Sequence, residues 1–582
     1  MANEIDCSKI FIKDLFGTEW WFRIPEYQRP YVWEKDQVHE LLDDIMTACI
    51  NNKESQYFLG SLVIQSNKKN ENGIEFTESD LLDGQQRITT LFILAAVIRD
   101  IVISNKIDDT HLIDSCNKSI YQAENKFDDV PERMRIVFDI RENVKEFIDE
   151  FIKPDGGTLK INELNRIIQN SDGATSVHNM AKAILTMHEY FSDKVNAVTD
   201  FFLFLRTKVL MIYVATEKLD DAFQLFTVMN NRGVKLRNSD ILKAQNLREL
   251  ETDVERKKWA EKWETIESYF GENFDNFLSH IRTIIVKRRA TVNLLKEYEE
   301  KIYAPVEFDR TTKTTRELPP LLKKGQETFE CIERFYKIYL KLFDESINLS
   351  GDYEFYNYIS LMRKGYEADY WVAPLMAYYN KFNEYRLLEF VKALDKKFST
   401  DWIVGEMVTK RVDNINAILQ DIDKINNADE VFEMESLNID YDNLKAVLNL
   451  DLYGRKYTKY ILLKLDMIYH GHTDKFSISD VVSVEHILPQ NPLAESKWCM
   501  DFSEQQRKEW TNKLGNLVLI SRRKNASQGN LEYSEKKSKY FHNNIELFSN
   551  SVRVYQNYAT WTLSDLRGNH EIVLEKLLDY YK

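Results

Sequence analysis

Residues 58–98 restrict the possible folds more than any other stretch, because two β-like runs lead directly into a long apolar helical run. Phe58–Gln65 and Ile74–Leu82 have the composition of strands, and the polar, glycine-containing segment Asn67–Gly73 between them is typical of a turn. Ile88–Ile98 has the composition of a helix that enters a core. A strand joined directly to an apolar helix predicts a mixed α and β core here.

The chain of 582 residues is longer than one hydrophobic core usually serves, so about three or four domains are expected. We predict an α/β domain over residues 1–250, a helical middle region over residues 251–430, and a mostly helical domain over residues 431–582. The last region also contains a short β-like patch, formed by Val481–Ile487 and Leu517–Ile520. The predicted fold class is therefore α+β.

Composition and charge limit the classes of protein to which the chain can belong. Asp and Glu outnumber Lys and Arg by 93 to 78, a net charge of −15, which argues against a protein that coats nucleic acid through its overall charge. The longest apolar run, Leu91–Ile98, is shorter than the ~20 residues that cross a bilayer, and the first residues lack the basic start of a signal peptide. Five scattered cysteines favour thiols in a reducing compartment. These features predict a cytoplasmic protein without a membrane partner.

The polar cluster Leu81–Arg87 lies where the second predicted strand ends and the helix begins. Backbone N–H groups at a helix start attract anions, and Arg87 on the first turn would add a forked donor for phosphate. Asp83 could hold a water or a hydrated metal ion, while the two glutamines could orient ligand oxygens. A capped turn with solvated polar side chains is an equal alternative for so short a motif.

Two further polar clusters accompany this junction. Ile24–Trp33 places Gln28 and Arg29 in a segment that its prolines hold extended. Phe226–Leu236 brackets a turn with Asn and Gly and brings charge beside apolar anchors, although its composition alone favours two capped helices. The chain has no GxxxxGK[ST] motif, which excludes a P-loop nucleotide site.

Together these clusters resemble the N-terminal domain of the GmrSD-type modification-dependent restriction enzymes, a domain similar to the ParB/sulfiredoxin fold. The resemblance covers roughly residues 10–250, and the DGQQR segment, with which the family binds and hydrolyses a nucleoside triphosphate, is intact. It implies catalytic roles for Asp83 and Arg87. It also implies nucleotide-binding roles for Gln28, Arg29, Asp83, Gly84, Gln85, Gln86, Arg87, Asn230 and Arg232.

A second informative motif begins with a β-like run that delivers adjacent Glu485 and His486 and ends at Pro489. Phosphodiester hydrolysis needs a base for water, a hard cation, and a group that fixes the tautomer of the base. His486 is the natural base, and Asn516 could orient its imidazole. Glu485 and Asn525 supply oxygen ligands suited to Mg²⁺ or Mn²⁺. In isolation, a histidine beside a glutamate is more often a surface or capping residue.

The spacing from Glu485 and His486 to Asn516 and Asn525 favours a catalytic role instead. It resembles the ββα-metal (HNH, His-Me finger) motif of the C-terminal nuclease domain in the same enzymes. One departure is Glu485, which stands where many such nucleases have Asp, so its role as a ligand is less secure than that of His486. A basic cluster near the motif predicts contacts with the DNA backbone. Its members are Arg522, Arg523, Lys524, Lys536 and Lys537.

The two motifs in this order predict a nucleotide-dependent, divalent-metal-dependent DNA endonuclease of bacterial antiviral defence. The resemblance implies that its partner is double-stranded phage DNA with altered cytosines or a phosphorothioate backbone, and it leaves a homodimer open. Two alternatives stay open as well: a nucleotide-sensing regulator whose nuclease domain is degenerate, and a toxin-like NTPase that acts on RNA.

Overall fold

A computed structural model describes most of the chain and divides it into two compact units. Unit 1 is Met1–Gly271 with Lys324–Phe329, and unit 2 is Glu272–Lys323 with Glu330–Lys582. The predicted borders at residues 250 and 430 stay predictions. The described residues are 6–17, 20–25, 28, 30–71, 74–124, 132–138, 142–169, 175–216, 237–309, 313–344, 353–472, 474–476, 478, 482–521, 529–541 and 547–582.

The α+β class is confirmed: both units combine helices with strands. Among the described helices, none has the combination of length and apolar character that a membrane span requires. The elements of unit 1, in chain order, are β1 (Asp6–Phe11), α1 (Ile12–Leu15), β2 (Trp21–Ile24), α2 (Lys35–Asn51), β3 (Tyr57–Glu71), β4 (Ile74–Asp83), α3 (Gln85–Ser104), α4 (Thr110–Ile120), β5 (Tyr121–Gln122), β6 (Arg133–Met134), β7 (Ile136–Phe138), α5 (Glu142–Phe147), α6 (Ile161–Gln169), α7 (Thr175–Phe191), α8 (Val198–Thr207), β8 (Val209–Thr216), α9 (Asn238–Arg248) and α10 (Asp253–Phe270).

Six described strands of unit 1 form a mixed sheet in the order β1-β8-β3-β4-β2-β7, and β5 and β6 form a separate pair. Strand β2 runs parallel to both of its neighbours, β4 and β7, whereas β3 and β4 form an antiparallel hairpin. The carboxyl ends of β2 and β4 therefore lie at the same edge of the sheet. In open sheets that contain parallel strands, ligands bind at such an edge.

The β3–β4 hairpin confirms the two predicted strands but corrects the predicted turn at Asn67–Gly73. Strand β3 continues to Glu71, and Asn67 pairs with Glu78 in the hairpin. Polar residues such as Lys68 are compatible with this ribbon because they occupy its solvent-facing positions, where a strand needs no apolar side chain. A polar, lysine-containing run was therefore a poor indicator of the turn.

Helix α3 forms the centre of the unit 1 core. Its residues Ile88–Val102 are buried on all sides, as expected for a helix that lacks a polar face. It shares one apolar core with α2, which begins with a capping box between Glu34 and Gln37. Leu62 and Leu81 cover the same core from the sheet. The junction between β4 and α3 is thus fixed on both sides by buried elements.

Unit 2 is mostly helical, with two small described hairpins. Its helices include short 3₁₀ and π segments, which are not numbered. The elements are α11 (Phe274–Val286), α12 (Leu294–Glu297), β9 (Val306–Asp309), β10 (Thr314–Glu317), α13 (Gln326–Phe343, which begins in unit 1), α14 (Tyr353–Gly365), α15 (Val372–Phe382), α16 (Leu387–Ile403), α17 (Val408–Lys424), α18 (Tyr441–Leu448), α19 (Thr458–His470), β11 (Val482–His486), α20 (Lys497–Asp501), α21 (Glu504–Trp510), β12 (Leu517–Ser521), α22 (Tyr533–Phe541), α23 (Ser549–Asn557) and α24 (Leu563–Tyr581).

The β-like patch predicted in the C-terminal region forms the antiparallel hairpin of β11 and β12, in which His486 pairs with Leu517. A compact apolar cluster supports it, with Ile487, Val518 and Ile520 packed among aromatic residues of the following helices. This packing explains why a two-stranded hairpin, which is marginally stable alone, is stable here.

Candidate functional site

The DGQQR segment lies at the edge of the unit 1 sheet where the carboxyl ends of β2 and β4 meet. Asp83 is the last residue of β4, and Gly84 caps α3 in a left-handed conformation with φ of 86°. Any side chain at this position would be strained, and a Cβ would also approach Leu62 to 2.9 Å. The sharp turn therefore requires glycine, and it places Asp83 directly before the start of the helix.

Arg87 is held by the neighbouring strand. Its Nη1 donates to the backbone oxygen of Leu59 at 3.1 Å, and its Nη2 donates to that of Ser61 at 3.0 Å. A Cβ at Gly60 would lie 1.7 Å from Nη1, so the absence of a side chain there makes room for the guanidinium. Asp83 Oδ2 lies 3.8 Å from Nη2. In this state Arg87 links β3 to α3.

Burial dominates the electrostatics of this ion pair. Burial raises the pKa of the Asp83 carboxyl, and the positive charge of Arg87 and a backbone hydrogen bond partly offset that rise. Burial likewise lowers the pKa of the Arg87 guanidinium, against the attraction of Asp83. A partly desolvated charge pair at the end of a strand interacts strongly with any further charge, including a phosphate.

Two glutamines at this edge, Gln28 and Gln86, form hydrogen bonds with backbone groups. Gln86 Nε2 donates to the oxygen of Pro30 at 3.0 Å, and its Oε1 accepts from the N–H of Val32 at 2.9 Å. Gln28 Nε2 donates to the oxygen of Leu82 at 3.1 Å. These bonds attach the predicted extended segment to the β4–α3 junction. Two clusters that are far apart in sequence therefore meet in one site.

Of the other residues predicted to bind the nucleotide, the structure describes Gln85 but not Arg29, Asn230 or Arg232. Gln85 is buried at the start of α3. Arg29, Asn230 and Arg232 lie outside the described residues. The nucleotide roles of the whole set stay predictions, since the described contacts account for these side chains as supports of the junction.

The second site lies on the β11–β12 hairpin of unit 2. His486 is the last residue of β11, and its buried imidazole contacts the ring of Tyr453, with ring centroids 4.1 Å apart. Its Nε2 lies 3.2 Å from Oδ1 of Asn512. An amide oxygen can only accept, so this contact places the ring proton on Nε2 and leaves the lone pair on Nδ1.

Burial lowers the pKa of His486 to about 4, and the positive charge of Lys536 acts in the same direction, while the bond to Asn512 opposes both. The imidazole is therefore neutral near pH 7 and can accept a proton at Nδ1. The approach of a negatively charged phosphodiester would raise this pKa toward neutrality, where a general base works best.

The prediction that Asn516 orients the imidazole is corrected, because Asn512 makes that contact. Asn516 is fully buried and binds backbone instead: its Oδ1 accepts from the N–H of Leu488 at 2.8 Å, and its Nδ2 donates to the oxygens of Leu488 and Thr511. Asn516 thus fixes the chain just after His486. The physical reason is position, since Asn516 ends the 3₁₀ turn just before β12, where its side chain bonds to the backbone after β11.

Glu485 points away from His486, as successive strand residues do. Its Oε1 accepts from Nζ of Lys536 at 2.6 Å, and the same ammonium donates to the backbone oxygen of His486 at 2.6 Å. Burial is the largest influence on both partners: it raises the pKa of Glu485 and lowers that of Lys536, and their mutual attraction opposes it.

The DNA-binding role predicted for Lys536 is therefore corrected. Its side chain is completely buried, so its charge serves Glu485 and is not presented to a polyanion. Lys537 is half-buried and donates to the backbone oxygen of Tyr558 at 3.0 Å. The other members of the predicted basic cluster, Arg522, Arg523 and Lys524, lie outside the described residues.

The described residues do not by themselves form a site for a divalent cation. Across the described ranges, no three His, Cys, Asp or Glu side chains cluster as ligands would. A hard cation needs several oxygen ligands. Glu485, one of the predicted ligands, is paired with the ammonium of Lys536. Asn525, the other predicted ligand, lies outside the described residues.

Helix α24 holds the hairpin from behind. His570 Nδ1 accepts from the N–H of Gly515 at 3.2 Å, and Asn569 Nδ2 donates to the oxygen of Gly515 at 2.6 Å. A Cβ at Gly515 would lie 2.5 Å from the backbone of His570, so only glycine permits this close approach. The segment that contains Asn516 is thereby fixed.

Comparison with protein families connects the two sites. Residues 11–247 match the N-terminal domain of the GmrSD restriction endonuclease. Residues 438–575 match the C-terminal domain of GmrSD restriction endonucleases. The chain belongs to the GmrSD restriction endonuclease family. Both domains of the GmrSD type are present in family order on one chain, and they indicate a type IV restriction endonuclease, a DNA-cleaving hydrolase. No individual curated protein matches the chain.

Two residues that contact His486, Asn512 and Tyr453, were not predicted from the sequence. Asn512 was detectable in principle, since it stands four residues before Asn516 in the same polar stretch. Tyr453 precedes His486 by a helix and a loop, and its spacing gives no signal. Only the folded chain brings it against the imidazole.

Proposed function

We propose that this chain is a nucleotide-dependent, divalent-metal-dependent endonuclease that cleaves modified phage DNA in bacterial antiviral defence. The observation that carries the nuclease assignment is the state of His486, whose Nε2 is bound by Asn512 and whose Nδ1 is left as the acceptor. A neutral imidazole with one fixed tautomer is the form that a general base requires.

In this proposal Nδ1 of His486 takes a proton from the water that attacks the scissile phosphate. Asn512 keeps the proton on Nε2, so the imidazolium that forms carries its second proton on the side of the substrate. Asn516 and the α24 contacts hold the hairpin, so that the base does not move during the reaction. The groups proposed to support hydrolysis thus come from β11, from the segment before β12 and from α24.

A divalent ion would neutralise charge on the phosphate and leaving oxygen when bound, which is what restriction endonucleases generally use such metals for. Glu485 and Asn525 remain the proposed ligands. For Glu485 this role requires an exchange of partners, because Lys536 now occupies its Oε1.

Unit 1 would bind a nucleoside triphosphate at the β4–α3 junction. Support comes from the intact DGQQR segment in the matched domain and from the partly desolvated Asp83–Arg87 pair. Binding of a phosphate would compete with the carbonyl oxygens of Leu59 and Ser61 for the Arg87 guanidinium. Release of those oxygens gives a physical means by which nucleotide binding could change the sheet.

The test is cleavage of modified and unmodified phage DNA by the full chain, with each triphosphate and with the metal omitted in turn. His486→Ala should lower the cleavage rate by about 10³-fold, the usual contribution of a general base. His39→Ala is the matched control, since His39 is an exposed histidine of α2 paired with Asp43. Undiminished cleavage by the His486 variant would remove the catalytic assignment.

A second candidate is a nucleotide-sensing defence regulator whose nuclease domain is weak or degenerate. The pairing of Glu485 with Lys536 favours it, because this pair occupies the carboxylate proposed as a metal ligand. Triphosphate turnover by the purified chain without any metal-dependent nicking of modified DNA would support the regulator and exclude the endonuclease.

A further inference from the structure

An exposed loop, Tyr453–Lys456, lies beside the candidate base of unit 2. It connects α18 to α19 and is attached to the nuclease hairpin region by Asn512, whose backbone oxygen accepts from the N–H of Leu452 at 2.9 Å and from that of Tyr453 at 3.4 Å. Asn512 therefore binds His486 with its side chain and the loop with its backbone. The loop and the imidazole are fixed to the same residue.

Tyr453 forms part of the surface through which a substrate must reach His486. Its ring centroid is 4.1 Å from that of the imidazole, yet the residue is 40% exposed. Successive phosphates of one strand are spaced by ~3.4 Å along the duplex axis, a separation similar to that between the two rings. A phosphodiester placed for attack at His486 would therefore bring an adjacent sugar or base against Tyr453.

The next residues of the loop carry positive charge into solvent. Gly454 adopts a left-handed conformation with φ of 80°, and no heavy atom lies within 4 Å of the place where its Cβ would be, so the loop projects into open space. The exposed guanidinium of Arg455 has no ion pair within the described part of the chain. Lys456 is 76% exposed, and its partner Glu367, at 3.5 Å, is 57% exposed.

Such charges are available to a ligand. An exposed ion pair contributes about 0–1 kcal/mol, so the Glu367 contact is readily exchanged for a phosphate. An aromatic ring followed by two cations is the combination that proteins use to hold a nucleic-acid strand by its π faces and its backbone. Lys536, which the sequence predicted to contact phosphate, is buried against Glu485. The phosphates near His486 must therefore be contacted by other cations, and those of this loop are exposed.

We propose that the loop Tyr453–Lys456 is a DNA-binding element of the nuclease site. Tyr453 packs on the sugar or base next to the scissile phosphate, and Arg455 and Lys456 contact the neighbouring backbone phosphates. This inference rests on the proposed function, because it takes the DNA strand at His486 as the ligand.

The test measures binding separately from cleavage. The full chain with His486→Ala is titrated onto a fluorescent DNA duplex of about 30 base pairs, and fluorescence anisotropy gives the Kd over a series of salt concentrations. Adding Arg455→Ala should raise the Kd about 5–10-fold at low salt and reduce the slope of log Kd against log salt by about 0.9, the value for one phosphate contact. Lys456→Ala should act in the same direction.

Lys424→Ala is the matched control, because Lys424 is also an exposed lysine with one carboxylate partner, Asp421 at 2.9 Å. It should leave both the Kd and the salt slope unchanged. For the aromatic position, Tyr453→Phe keeps the ring and should bind like the parent, whereas Tyr453→Ala should weaken binding about 10-fold, within the range for one stacked base.

Equal Kd values and equal salt slopes for the Arg455 and Lys456 variants and the control would overturn the loop's role. Equal binding by the Phe and Ala variants of Tyr453 would overturn its contact. Either result leaves the dependence of cleavage on His486 untouched, so the proposed function would survive it. Conversely, full cleavage by the His486 variant removes the proposed function whatever the loop variants do.

Discussion

The two sites of this chain show opposite uses of conspicuous polar residues. At the β4–α3 junction of unit 1, polar side chains of the motif bind backbone and join elements: Arg87 holds β3, and Gln86 holds the segment around Pro30. At the β11–β12 hairpin of unit 2, Asn512 holds His486 through Nε2, which leaves Nδ1 for the proposed proton transfer. A motif residue can therefore be a support or a reacting group, and its hydrogen bonds distinguish the two.

The largest expected effect is a loss of stability when Glu485 loses its partner Lys536. It tests whether Glu485 supports the hairpin or is free to bind a ligand. Lys536→Met removes the partner of a buried carboxylate, which should lower the free energy of unfolding by about 3–5 kcal/mol. The double variant Glu485→Gln with Lys536→Met should recover most of this loss, because no buried charge is left unpaired. Urea denaturation measures both. If Lys536→Met leaves stability unchanged, the pair is not a support of the hairpin and Glu485 is free for a ligand role.

A smaller effect is expected at the contact that fixes the base. Asn512→Ala should lower the rate of DNA cleavage about 10–100-fold, because the imidazole loses its acceptor and its tautomer is no longer fixed. The effect should appear in kcat more than in KM. Asn512→Asp, which restores an acceptor, should recover part of the rate and shift the pH profile upward, since a nearby carboxylate raises the pKa of the histidine.

This prediction has a structural outcome that would contradict it. If Asn512→Ala loses activity only in proportion to a loss of folded protein, and Asn512→Asp does not recover it, the residue supports the loop and does not position the base. Thermal unfolding of the same preparations separates these results.

In unit 1, Gly60→Ala tests whether the position of Arg87 matters. A Cβ would meet Nη1 at 1.7 Å, and the residue's φ of 132° is one that side chains rarely adopt. We expect a loss of about 2 kcal/mol in stability from strain and displacement, together with reduced triphosphate turnover. Gly156→Ala is the control, since φ there is 76° but no heavy atom lies within 4 Å of the new Cβ. Equal turnover by both variants would show that Arg87 can move without consequence.

The smallest effect concerns a second buried carboxylate, Asp466 on α19. Asp466 accepts a hydrogen bond from the neutral backbone N–H of Asn550, whereas Asp83 has a cationic partner, Arg87. Burial raises its pKa to about 7, well above the value near 3.9 of an unfolded chain. The folded state therefore binds the proton more tightly, and stability falls as pH rises from about 4 to 7. Asp466→Asn should stabilise the chain by about 2 kcal/mol at pH 8 and by little at pH 4. Unfolding measured at both values checks this, and equal gains would contradict it.

Much of the scaffold around these sites was predictable from local pattern. The strands at 58–65 and 74–82, the apolar helix behind them and the β-like patch around His486 all form, because burial of continuous apolar runs decides them. The turn at 67–73 was wrong because polar residues fit an exposed ribbon as well as a turn. The meeting of Gln28 with Leu82 was beyond local pattern, since it depends on the strand order of the sheet.

The candidate sites divide in the same way. The sequence allowed His486 to be proposed as the base, because a general base must be a particular residue type in a particular motif. The roles of Asn516, Asn512 and Lys536 were not, because which polar group faces the imidazole depends on the hairpin register and on helices that come later in the chain. Spacing identifies the candidates, and only packing assigns their partners.

The contact between α24 and the hairpin has a consequence for synthesis in the cell. Asn569 and His570 hold Gly515, and Asn512 contacts His486, so the arrangement around His486 depends on residues as late in the chain as α24. A nascent chain that ends before α24 lacks the contacts that hold Gly515. If His486 acts as proposed, we expect cleavage activity only after α24 has been synthesised and has packed on the hairpin.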